Sequence, residues 1–217
     1  MSNKGLATFI YEDFFIYYML ILKEHQAELF LKKEGFPVVE SYLIKNEESL
    51  IKHSKRIGFP LVLKNPEILH KTEKNAVKIN VFKENLLKEY KCLNSKNVLM
   101  QKQIKGHEFL VGVKKDNVFG HVIAFGIGGI FTEVLKEVSF KVLPINKKDV
   151  IDLIKENKAY DLLNARGKKI STKKIEDIIL KISKLAERHP NILELDINPL
   201  IVNEKEAKIV DARVVFE

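Results

Sequence analysis

The chain of 217 residues has no tryptophan and a single cysteine, Cys92. One thiol excludes an internal disulfide and points to a reducing, cytoplasmic compartment. No small-residue cleavage site follows an apolar core near the N-terminus, which argues against an export signal. Long apolar runs are also scarce. The most apolar stretch, Phe9–Leu22, carries Glu12 and Asp13 and is too short to span a bilayer. It is expected to be a packing arm or a partner-facing helix, and no membrane association is expected. Internal repeats and low-complexity linkers are absent.

What is present is ordinary for a folded protein with a real core: 46% apolar and 30% charged residues, enough for one large or two small lobes. The 37 basic residues outnumber the 29 acidic ones for a net charge of +8. The lysines are scattered and interleaved with glutamates, so no nucleic-acid partner is expected. The excess favours a small polyanion, such as a nucleotide or coenzyme A, through long-range attraction.

Hydrophobic spacing predicts a helix over Lys23–Glu34 closed by Gly35, a strand in Phe36–Asn46 and a helix over Glu47–Arg56 that stops before Pro60. Short strands follow at Leu61–Asn65 and Val77–Phe82, then a helix over Lys83–Asn94 and a strand at Asn97–Ile104. Beyond them come strands in Glu108–Asp116, His121–Gly129 and Val138–Ile145, helices over Lys148–Lys158 and Lys173–Arg188, and a final strand pair, Ile192–Asn203 and Ala207–Phe216. Long strand pairs joined by short charged turns predict an α+β fold of mainly antiparallel sheet with helices packed on one side.

Gly126, Gly128 and Gly129 crowd the link between two strand-like runs, where bare backbone can approach an anion closely. Lys64 ends the apolar run LVLK, so it either meets an anion or leaves the strand for water. His70, in the polar loop PEILHKTEKNAV, is available as a nucleophile or acid/base, and Glu108 opens a strand from which a carboxylate can face a cleft. Asp196 and Asn198 alternate to one face of the strand ELDINPL, and a hairpin can bring Asn198 beside Asp211. Such hard oxygen donors suit Mg²⁺ carrying a nucleotide phosphate; Asn198-Pro199 equally suits a plain bend.

The segments VLK, ILHKT, GHEFLVGV, FGIGGIFTEVLKEVSFKVLPI, KAYDLLNARG, ELDINPL and VDAR occur in this order between residues 23 and 217. In them the chain resembles the ATP-grasp β subunit of ADP-forming acetyl-CoA synthetases and, more distantly, the succinyl-CoA synthetase β subunit. The resemblance implies an ATP-grasp fold with an N-terminal arm (1–22), a first lobe (23–100) and a second lobe with a metal-binding hairpin (101–217), clasping ATP or ADP. It implies Lys64 on a phosphate, the backbone of Met100, Gln101, Lys102, Gln103 and Ile104 passing the adenine, Glu108 on the ribose, and Asn198 and Asp211 on Mg²⁺. His70 would take the phosphoryl group transiently. Gly128 and Gly129, with Glu133 in the same segment, would line the surface where a phosphohistidine arrives from an α subunit that also carries the CoA-binding domain. A hetero-oligomer follows.

The chain departs from this pattern where relatives read H-K-S-D-V-G-G-V, since Asn75 and Ala76 replace both glycines, and at Lys141, where relatives usually carry arginine. The alternative these departures raise is a non-catalytic nucleotide-sensing or structural subunit.

Overall fold

The computed structural model describes residues 19–68, 76–128, 138–157 and 172–217. In chain order these form β1 (Leu20–Leu22), α1 (Glu24–Lys33), β2 (Ser41–Ile44), α2 (Glu47–Ile57), β3 (Leu61–Lys64), β4 (Val77–Val81), α3 (Leu86–Cys92) and β5 (Val98–Lys102). They continue with β6 (His107–Asp116), β7 (Gly120–Ile127), β8 (Val138–Val142), α4 (Lys147–Lys155), α5 (Thr172–Arg188), β9 (Ile192–Val202), β10 (Ala207–Ile209) and β11 (Ala212–Phe216). The chain divides into two compact units, Val38–Lys105 and Met1–Pro37 with Gly106–Glu217.

The smaller unit is a four-stranded antiparallel sheet, β2-β5-β3-β4, with α2 and α3 on one face. Helix α2 starts where Asn46 accepts from the Ser49 amide at 2.8 Å, and Gly58 ends it at φ +79°, a conformation that costs glycine little. Leu50 and Ile57 of that helix pack with Leu61, Leu63, Val98 and Met100, so strand alternation turns Val62, Lys64, Leu99 and Gln101 to the opposite face.

The larger unit is one antiparallel sheet in the order β1-β11-β9-β6-β7-β8, with β10 extending from β9. Val111, Val113, Ile123, Phe125, Leu195 and Ile197 are buried on one face, and so are Ile175, Ile178, Ile179 and Ile182 of α5, which packs on β9. The period-2 and period-3.6 patterns meet there, and each fully buried side chain of this size contributes about 1.5–3 kcal/mol. The other face carries Glu108, Leu110, Gly112 and Lys114 of β6, Val122 and Ala124 of β7, Phe140 and Val142 of β8, and Glu194, Asp196 and Asn198 of β9. All of these are exposed or half-buried.

Two expectations are corrected. The end of the N-terminal arm is not helical, because Leu20–Leu22 pairs antiparallel with β11, Leu20 opposite Phe216. The lobe boundary also moves: Leu20–Pro37 belongs with residues 106–217 rather than with the first lobe. Strand β1 is zipped to β11, α1 packs on β11, and the Lys181 ammonium donates to the Gly35 carbonyl.

Candidate functional site

In the smaller unit, Lys64 is only 5% exposed and sits at the end of β3 opposite Leu99 and Val77, on the face away from the helices. The alternative of a lysine reaching water is therefore excluded. Asn65, also buried, donates its amide to the Ala76 carbonyl at 2.9 Å and caps the Glu67 amide at 3.0 Å. Ala76 is 3% exposed, so its methyl group is accommodated just before β4.

Residues 100–104 are anchored as a backbone ribbon. The Lys102 amide donates to the Glu40 carbonyl at 3.1 Å and the Gln103 amide to the Pro60 carbonyl at 3.2 Å. The Gln103 side chain exchanges two bonds with Asn80, accepting from its amide at 2.8 Å and donating to its Oδ1 at 2.9 Å, and thereby holds Asn80 at φ +55°. Met100 is fully buried in the helix-side core, so its side chain serves packing. The Gln103–Asn80 pair left no periodic signal in the sequence.

In the larger unit the hairpin expected from ELDINPL and VDAR forms. The Asn198 amide donates to the Asp211 carbonyl at 3.2 Å, and the Val210 amide to the Pro199 carbonyl at 3.1 Å. The two residues therefore lie side by side in the gap between the β10 and β11 pairings with β9. Asp196 stands one alternation further down the same face. Its carboxyl is pushed up to about 6, first by burial and then by the Glu194 and Asp211 carboxylates, with the Arg213 guanidinium opposing them. Like-charged oxygens held together in this way suit a divalent cation. Among the described residues no group of three or more His, Cys, Asp or Glu side chains forms a metal cluster. An amide oxygen with one or two carboxylates matches Mg²⁺, which keeps several of its waters.

Glu108 is exposed on the same face at the other end of β6, opposite Ile201 of β9. Its carbonyl accepts the Gly128 amide at 2.8 Å. That bond corrects the expectation for Gly128: its N–H is committed to β6 rather than aimed at an anion. Gly126 is likewise a strand residue, paired with Leu110 and Val138, and neither glycine has a positive φ. Glycine is needed at 128 for space, since a Cβ there would lie 2.7 Å from the Phe109 carbonyl carbon. Lys141 forms a 2.8 Å ion pair with Glu156, whose hydrogen bond raises the lysine pKa. His70, Asn75, Gly129 and Glu133 lie outside the described residues. No helix among the described residues is long and apolar enough to cross a membrane.

Two unequal antiparallel sheets and an oxygen-lined hairpin on the larger one define an ATP-grasp protein. The ATP-grasp domain model matches residues 19–216. The β subunit of ADP-forming acetate–CoA ligase I of Pyrococcus furiosus is 40% identical over 212 residues, covering 90% of this chain and 91% of that one. ADP-forming acetate–CoA ligase II of Archaeoglobus fulgidus is 38% identical over 90% of this chain, which spans only 30% of that longer protein. Among solved structures, acetyl-coenzyme A synthetase 1 of Candidatus Korarchaeum cryptofilum, in complex with coenzyme A and Ca-AMPCP, superposes with a TM-score of 0.84 at 34% identity, covering 91% and 93% of the two chains. The same enzyme with Mg-AMPPCP, its phosphohistidine segment pointing towards the nucleotide binding site, gives 0.79 at 33% identity, with coverage of 91% and 93%. The chain belongs to the ATP-grasp family and, within it, to the β subunits of ADP-forming acetate–CoA ligases.

Proposed function

We propose that this chain is the nucleotide-binding subunit of an ADP-forming acyl-CoA synthetase, moving a phosphoryl group between a phosphohistidine and ADP or ATP. The observation that carries the reading is the pairing of Asn198 with Asp211, which sets an amide-bearing and a carboxylate-bearing residue side by side in the β9 hairpin. Both residues would hold Mg²⁺, and Mg²⁺ when bound neutralises charge on the phosphate oxygens. Lys64 binds a nucleotide phosphate; its burial makes the anion a favourable partner. The anchored backbone of residues 100–104 lies along the adenine, and Glu108, fixed through Gly128, accepts from the ribose hydroxyls. His70 is assigned the transient phosphoryl, with Gly129 and Glu133 beside the incoming phosphohistidine.

The acyl-CoA chemistry belongs to a partner α subunit carrying the CoA-binding and phosphohistidine domains, in a cytoplasmic hetero-oligomer. Burial of Ala76 just before β4, with Val77 in register opposite Lys64, supports the catalytic reading over a nucleotide sensor.

The test supplies this chain with the α partner of the Pyrococcus furiosus ligase, labelled with ³²P on its histidine, together with Mg-ADP. Label appearing in ATP, and lost in His70→Ala, supports the proposal. Tight Mg-ADP binding with no transfer of label identifies a sensor instead.

A further inference from the structure

The helices of the smaller unit leave an apolar groove on the side of the sheet that faces away from Lys64. Helix α2 returns from β2 to β3, both antiparallel to β5, and α3 returns from β4 to β5, both antiparallel to β3. The two helices therefore run in opposite directions across one face. An ion pair of 3.1 Å between Lys91 and Glu47 fixes their register, joining the last turn of α3 to the first turn of α2. One turn further along each helix stand Ile51 and Leu87, side by side and both 42% exposed. At the far end, where α2 has finished and α3 is about to begin, Phe59 and Phe82 are 37% and 47% exposed, placed at the same end of the sheet by the pairing of Leu61 with Val81. Exposed large apolar side chains thus follow one line along the helix pair.

The line is bordered by cations. Lys52, Lys55, Lys83 and Lys88 are exposed beside it, and between Val38 and Lys105 the chain has 14 Lys and Arg against 7 Asp and Glu. Of the net charge of +8, the smaller unit therefore carries +7. Glu47, at the closed end of the groove, is neutralised by Lys91; Glu48, Glu84 and Glu89 are the other acids on these elements. A single exposed apolar side chain needs no explanation, but an apolar line inside a rim of one sign is complementary to a protein surface of the other sign. The sign disfavours a second copy of this chain, because two such basic units repel. A nucleic acid would use the lysines and leave Ile51 and Leu87 without a partner.

We infer that the groove between α2 and α3 receives an acidic amphipathic helix of a partner protein, with the partner's apolar stripe seated on Ile51 and Leu87 and its carboxylates facing Lys52, Lys55 and Lys88. A helix laid in a groove buries its apolar face through anchors three and four residues apart and needs no open strand edge to pair with. Attraction between the acidic helix and the basic rim speeds the encounter, and the apolar anchors hold the complex once it forms. Because the groove lies on the helix side of the sheet, its occupant leaves the Lys64 face open. Occupation tethers the chain to its partner without competing with ADP, and the inference does not depend on the proposed phosphoryl transfer.

The experiment uses the whole chain and a fluorescein-labelled helical peptide with leucine along one face and glutamate on the rest. The same peptide with lysine in place of glutamate, and vesicles of phosphatidylserine and phosphatidylcholine, serve as the contrasting probes. Anisotropy should show saturable binding of the acidic peptide that weakens as salt is added. Affinity should fall about tenfold in the double variant Ile51→Gln with Leu87→Gln, and about tenfold in Lys52→Glu with Lys88→Glu. Both variants alter exposed side chains, so their melting temperatures and their Mg-ADP affinities by calorimetry should match the parent's. No saturable binding of the acidic peptide, equal binding of the lysine peptide, or affinity unchanged in either double variant overturns the groove as an acidic-helix site. Vesicles bound more tightly than the peptide, and released by the same variants, make the surface a lipid contact and overturn it equally. Transfer of label to ADP tests the proposed function separately and is unaffected by any of these outcomes.

Discussion

Asn198 and Asp211 are joined by a backbone hydrogen bond of 3.2 Å across the β9 hairpin, so the positions of their backbones are set by the sheet and not by the metal they are proposed to bind. A site preformed in this way loses little conformational entropy when cation and nucleotide arrive. Its cost is visible one alternation away, at Asp196, where burial and two neighbouring carboxylates disfavour the ionised form.

That cost predicts a pH dependence. The Asp196 pKa stands near 6 in the folded protein against an ordinary 3.8. The folded state therefore binds this proton more tightly, and stability contributed by the protonated carboxyl is complete below about pH 4 and lost as pH rises to about 6. The loss is up to about 3 kcal/mol. Urea denaturation of the parent chain minus that of Asp196→Asn, measured from pH 4 to 7, should fall over this window and be flat above it.

Lys64→Met should weaken Mg-ATP binding by about tenfold or more, since the variant keeps the buried methylene chain but not the charge. Lys64 is only 5% exposed, so the groups its ammonium meets in the fold are left unmatched in the variant and the melting temperature should fall. Calorimetry and thermal melting of one sample read both effects.

Most strands and helices were legible in the sequence because they are periodic: VKINVF alternates, and α5 repeats isoleucine at Ile175, Ile178, Ile179 and Ile182. The β9 hairpin was legible for the same reason, as Asp196 and Asn198 share one parity. The unit to which residues 20–37 belong was not, because pairing of Leu20–Leu22 with β11 joins positions nearly the whole chain apart and leaves no local mark. The glycines misled in a physical way. The absence of a Cβ reads the same in sequence whether the space is filled by an anion or, as at Gly128, by the Phe109 backbone.

Gly128→Ala should therefore fail through stability. A Cβ 2.7 Å from a backbone carbon of Phe109 forces β7 from β6 and should cost about 1–3 kcal/mol. Gly112→Ala, where the nearest atom is 3.5 Å away, should change stability by less than about 0.5 kcal/mol. Equal denaturation midpoints for the two variants would refute the steric account.

Gln103→Ala breaks both bonds to Asn80 and should cost about 1–2 kcal/mol, leaving Asn80 to hold φ +55° alone. Asn80→Gly in the same background should recover part of the loss, since glycine adopts that conformation freely. Thermal melts of the single and double variants measure the recovery.

The measurement that bears most directly on the central claim is titration of ADP into the purified chain and into Asp211→Ala, each with and without magnesium. The account predicts saturable binding that requires magnesium and weakens at least about tenfold in the variant, whose melting temperature stays close to the parent's. Binding of equal strength in both proteins, or binding indifferent to magnesium, would contradict the assignment of the Asn198–Asp211 pair as the metal site.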